Sequence, residues 1–81
     1  MKLIVLNLPR TIKENALKKM FKVYGDITDC KIHLDAKTGL SKGYGFVEMP
    51  IESEAFAAIE KLHSSILHKA IIRVKPAHNN D

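Results

Sequence analysis

Eighty-one residues, 46% hydrophobic and 27% charged, can bury one modest core and fall outside the composition of disordered chains. Thirteen Lys and Arg against nine Asp and Glu leave a formal charge of +4, which favours a polyanionic partner. A single cysteine, Cys30, excludes an intrachain disulfide and a cysteine-based metal cluster, and it suits a reducing compartment such as the cytoplasm.

Residues 2–8 are apolar and partly β-branched, and Asn7 with Pro9 ends the run, so a short buried strand is predicted there. The run is too short to span a membrane or to serve as a leader, so a soluble cytoplasmic chain without a membrane partner is expected. Thr11-Ile12-Lys13-Glu14 has the form of a capping box at a helix start. Ala16, Leu17, Met20, Phe21 and Tyr24 then lay an apolar stripe along one helical face, with Gly25 placed to cap its end. A second strand is predicted over 27–34, with Cys30 and Ile32 on one face and Lys31 and His33 on the other. Residues 35–39, Asp-Ala-Lys-Thr-Gly, read as a turn. The third strand, 43–49, alternates strictly: Gly45, Val47 and Met49 on one face, Tyr44, Phe46 and Glu48 on the other. Pro50 closes it, and Ala55, Ala58, Ile59 and Leu62 mark a second helix running to about His63. The last strand, 71–75, points Ile72 and Val74 one way and Ile71, Arg73 and Lys75 the other, and Pro76 ends it. No repeat, low-complexity stretch or linker interrupts the chain. Residues 1–77 therefore read as a complete single domain and 78–81 as a short disordered tail.

This order suits an α+β, ferredoxin-like split βαβ fold (βαββαβ), a four-stranded antiparallel sheet with both helices on one face. The helix-facing positions would be Leu3, Val5, Cys30, Ile32, Val47, Met49, Ile72 and Val74, all apolar. The open face would carry Lys2, Ile4, Leu6, Lys31, His33, Tyr44, Phe46, Glu48, Ile71, Arg73 and Lys75. Two aromatics set among cations suit single-stranded nucleic acid, because bases stack on rings while Lys and Arg neutralise phosphates.

Lys42-Gly43-Tyr44-Gly45-Phe46-Val47-Glu48-Met49 resembles the ribonucleoprotein octamer of the RNA-recognition motif family, and Leu3-Ile4-Val5-Leu6-Asn7-Leu8 resembles its companion hexamer. The resemblance covers residues 2–77 and is similar in form to compact, single-module bacterial members. It implies that the Phe46 ring stacks on a base, that Tyr44 lies against sugars or between nucleotides, and that Lys42 pairs with the backbone. Lys2, Ile4, Leu6, Asn7, Lys31, His33, Arg73 and Lys75 complete the expected RNA-binding set. It further implies that Gly45 lets a helix pack closely on the sheet. Two positions depart from the family pattern. Ile4 stands where an aromatic normally stacks a base, and Met49 ends the octamer but points inward, where it fills an aromatic's space. Glu48 adds repulsion towards phosphate.

The expected partner is single-stranded RNA, with single-stranded DNA as a second candidate, and no cofactor is expected. A monomer is expected, with a weak dimer or protein partner as the alternative. That alternative, a protein-interaction module on the same fold, rests on Ile4, Leu6, Ile71 and Phe56, the last lying off the main stripe of the second helix. Phe56 otherwise reads as the core's periphery. Enzymes and metal carriers share such folds, but the chain has no Cys-x-x-Cys pair and no Gly-rich anion loop with a partnered Arg. Cys30 reads as a small buried hydrophobe, and His33, His63, His68 and His78 show no metal-ligand spacing.

Overall fold

A computed structural model describes residues 1–77 of the chain, so the expected tail at 78–81, His78 included, lies outside the described residues. The elements in order are β1 (Lys2–Leu6), α1 (Glu14–Lys22), β2 (Asp29–Leu34), β3 (Ser41–Glu48), α2 (Glu52–Leu62), β4 (Ile66–Leu67), β5 (Ala70–Ile71) and β6 (Arg73–Pro76). Strands β2-β3-β1-β6 form one antiparallel sheet, and β4 with β5 makes a separate two-stranded hairpin.

Alternation along the strands decides which side is covered. Leu3, Val5, Ile32, Val47, Met49, Ile72 and Val74 are buried against Leu17 and Phe21 of α1 and Ala55 and Ala58 of α2, with Cys30 half-buried beside them. Full burial of each large aliphatic or aromatic side chain stabilises by ~1.5 to 3 kcal/mol. A one-residue slip of β1 would exchange Leu3 and Val5 for Lys2 and Ile4, so the register is strongly held.

Local chemistry at the element ends differs from expectation in several places. The Thr11–Glu14 capping box does not form: α1 begins after Lys13, which makes no side-chain cap. The Glu14 carboxylate instead accepts the Ile32 N–H at 3.1 Å, a donor that edge strand β2 leaves free. The end of α1 tightens into bonds from the Tyr24 and Gly25 N–H groups to the Phe21 and Lys22 carbonyls, so Gly25 supplies no left-handed cap. Its bare Cα makes room for the Glu54 side chain, which accepts the Asp26 N–H at 3.1 Å. Gly45 is needed for strand packing rather than helix packing, because a Cβ there would run into the Lys31 carbonyl and the Ile32 Cα of β2.

The β2–β3 turn forms as expected. The Asp35 carboxylate accepts the Lys37 and Thr38 N–H groups at 2.8 and 3.1 Å, and those bonds hold its carboxyl below the usual range. Gly39 turns back at φ 73. The hairpin β4–β5 was not expected. His68 and Lys69 both take positive φ, 47 and 71, the signature of a type I′ turn. This moves Ile71 off the last strand, which runs instead from Arg73 through Pro76. Phe56 is 53% exposed and so is no part of the core's periphery.

Candidate nucleic-acid interface

Strand pairing sets the open face in rows. Lys31, Phe46, Ile4 and Lys75 align across β2, β3, β1 and β6, and the next row holds Tyr44, Leu6 and Arg73. Each row thus runs from an aromatic through an aliphatic to a cation, and the first also begins with one. Lys2, Lys31, Arg73 and Lys75 are exposed, while Ile4, Leu6, Tyr44 and Phe46 are half-buried by one another.

The register of β2 against β3 shifts between Ile32 and Leu34, which re-aims the intervening His33. Its imidazole lies parallel to the Tyr44 ring, centroids 4.8 Å apart and planes at 18°. It also meets the Phe46 ring edgewise at 5.1 Å, and Tyr44 and Phe46 sit edge to face at 6.2 Å. The Lys2 ammonium lies 4.8 Å from the Phe46 centroid, in cation–π range. The result is one cluster of three rings with a cation over its far end.

Glu48, opposite Lys2, takes the Met1 ammonium at 3.2 Å, so its charge is offset within the molecule. Lys42 is exposed beyond Gly43, whose φ of 89 breaks the pleat before Tyr44. Asn7 is committed locally: it takes a left-handed φ of 60, and its amide donates to the Ile71 carbonyl at 2.8 Å, tying β1 to the hairpin. The structure therefore brings together His33, Tyr44, Phe46, Lys2, Lys31, Ile4, Leu6, Arg73 and Lys75. Lys42 and Asn7 stand at the ends of β3 and β1.

Arg10 was missed by a reading built on strand alternation, because it lies in the loop after β1. Its guanidinium donates to the Ser41 carbonyl at 3.4 Å, which sets a fixed positive charge beside Lys42. A groove of about 750 Å³ opens between this loop and the β2–β3 turn, lined in part by Arg10, Ile12, Lys13, Leu34 and Leu40.

On the opposite face burial, reinforced by Glu14, pushes the Cys30 thiol up to about 11, so it stays protonated and poorly nucleophilic. His63 accepts the Val74 N–H on Nδ1 at 3.0 Å, a structural role. Among the described residues no group of three His, Cys, Asp or Glu could hold a metal ion, and no helix is long and apolar enough to cross a membrane.

The model of the RNA recognition motif matches residues 3–73. Polyadenylate-binding protein 2 of Arabidopsis thaliana is 39% identical over 74 residues, covering 91% of this chain and 12% of that protein. The crystal structure of RNA binding protein PG1 superposes with a TM-score of 0.92 at 36% identity, covering 95% of this chain and 93% of that one. A Sex-lethal protein–RNA complex gives a TM-score of 0.91 at 34% identity, over 95% of this chain and 46% of that one. The first curated relatives are matched over only 12 to 25% of their own length.

Proposed function

We propose that this chain, which belongs to the RNA recognition motif family, binds single-stranded RNA on the open face of its sheet. The observation that carries the reading is the cluster of His33, Tyr44 and Phe46 set among cations. Phe46 stacks a base, Tyr44 packs against a sugar or a second base, and His33 widens the platform beside it. Lys2, Lys31, Lys42, Arg73 and Lys75 neutralise phosphates, and Ile4 and Leu6 give apolar contact between the rows. Asn7 contributes by holding the end of β1. No reaction is assigned to the chain, and single-stranded DNA is the second ligand to test. Residues 1–77 act as one binding module. We place the protein in the cytoplasm as a monomer, in keeping with the unpaired Cys30.

The test is a titration with short single-stranded RNAs. Tyr44→Ala and Phe46→Ala should each weaken binding by ~1 to 3 kcal/mol, the worth of one stacked base, or about 5- to 150-fold. Variants that keep their circular dichroism and bind as wild type does would remove the sheet face as the site.

A further inference from the structure

Behind the sheet, the helix layer is divided by charge. On α1, Asn15, Lys18, Lys19 and Lys22 recur at offsets of three, four and seven, so they share one solvent-facing stripe, and together they line a single shallow groove of about 290 Å³. On α2 the exposed charges are Glu52 and Glu60 against Lys61, with Glu54 half-buried beside Gly25.

Of the carboxylates near the α1 stripe, two bind backbone donors of β2 and one pairs with the stripe itself. Glu14 holds the Ile32 N–H and Asp29 accepts the Cys30 N–H at 2.9 Å. Asp26 pairs with Lys22 at 3.3 Å across an exposed turn, where screening makes the pair weak. Among the described residues Lys18 and Lys19 have no ion-pair partner.

The stripe is continuous with one edge of the sheet. Helix α1 packs on β2, the edge strand that also carries Lys31 and His33, whereas α2 packs on β6 at the opposite edge. Glu14 binds β2 directly, and Lys18, one turn on, is close enough to act on the Cys30 thiol. A polyanion leaving the ring platform past Lys31 crosses the β2 edge beside Asp29 and Glu14 and then meets Lys18, Lys19 and Lys22. One leaving over β6 passes Arg73 and Lys75 and then meets α2, whose exposed charges are Glu52, Glu60 and Lys61.

We propose that α1 is a second phosphate-binding surface, and that single-stranded RNA leaving the ring platform turns over the β2 edge and continues along Asn15, Lys18, Lys19 and Lys22. The proposal rests on RNA occupying the sheet face. Contacts on the stripe are to phosphate alone and carry no base preference.

Oligouridylates of about 4 and about 14 nucleotides, on the scale of single-strand site sizes, separate the two surfaces. The longer one should bind tighter and with a salt slope steeper by ~2, from ~0.7 for each of three lysine–phosphate contacts. Its advantage should accordingly shrink about ten- to twentyfold between roughly 50 and 200 mM salt. The variant K18Q/K19Q/K22Q should bind the short RNA as wild type does and lose the length advantage. K37Q/K61Q/K69Q, with the same loss of charge, should keep it. The proposal is overturned if the stripe variant retains the advantage, if the control loses it equally, or if sedimentation shows that the advantage comes from a second protein on the long RNA. Short-RNA binding that is absent, or indifferent to Phe46→Ala, would instead overturn the sheet-face reading itself.

Discussion

Ile4→Phe should tighten RNA binding. Ile4 lies between Phe46 on β3 and Lys75 on β6, and its neighbours Leu3 and Val5 point into the core, so a ring at this position is held on the open face. Directly opposed side chains on paired strands have Cβ atoms about 4.5 to 5.5 Å apart, close enough for two rings to form one surface. The Phe46 ring already meets His33 at its edge and Lys2 at 4.8 Å, and the side towards β1 is where a second ring fits. One added stack is worth ~1 to 3 kcal/mol, or about 5- to 150-fold in affinity, and should be tolerant of base identity because every base has a π-face. Folding stability should move little, since the position is half-buried and a new aromatic pair adds only ~0.5 to 1.5 kcal/mol. Wild type and variant are to be titrated against the same short RNA, with sedimentation run in parallel. Unchanged affinity together with new self-association would mean that the face takes a protein rather than RNA.

Three further outcomes are expected. Lys42→Ala should weaken binding to all RNA sequences alike and lower the salt slope by ~0.7, one single-strand phosphate contact; an unchanged slope would place Lys42 in solvent. Asn7→Ala loses the bond to Ile71 and puts Ala at φ 60, so urea denaturation should show a loss of about 1 to 3 kcal/mol, whereas Asn7→Gly loses only the bond, ~0.5 to 1.5 kcal/mol. Equal damage by the two would show that backbone conformation is not what Asn7 supplies. Replacing His68-Lys69 by Asn-Gly should raise the melting temperature through a gain of ~0.5 to 2 kcal/mol, since both residues hold positive φ; no gain would mean the turn is unstrained.

The layer arrangement was legible because strand alternation is a period-two signal that a buried face enforces at every position. Leu3, Val5, Ile32, Val47 and Val74 are buried as that signal requires. Signals that depend on a single side chain fared worse. Thr11 and Glu14 have capping-box spacing, but the bare N–H of edge strand β2 competes for the Glu14 carboxylate and takes it. The β4–β5 hairpin was illegible because its turn residues, His68 and Lys69, lack the Asn-Gly chemistry by which such turns are recognised. On the open face, parity put His33 beside Tyr44 and Phe46, but the stacked geometry depends on a register shift that parity cannot show. Arg10 escaped because its closeness to Lys42 arises from chain folding between a loop and a strand, not from any spacing.

Both free edges of the sheet are blunted, and this bears on how the protein behaves when it is concentrated. At β2 the Ile32 donor is occupied by Glu14, and at β6 Pro76 offers no N–H at all. Open strand edges are templates for edge-to-edge pairing when copies of a chain are crowded together. Filling these two positions removes donors through which copies of the chain would join edge to edge, and Glu14→Ala is the first variant in which to look for such association.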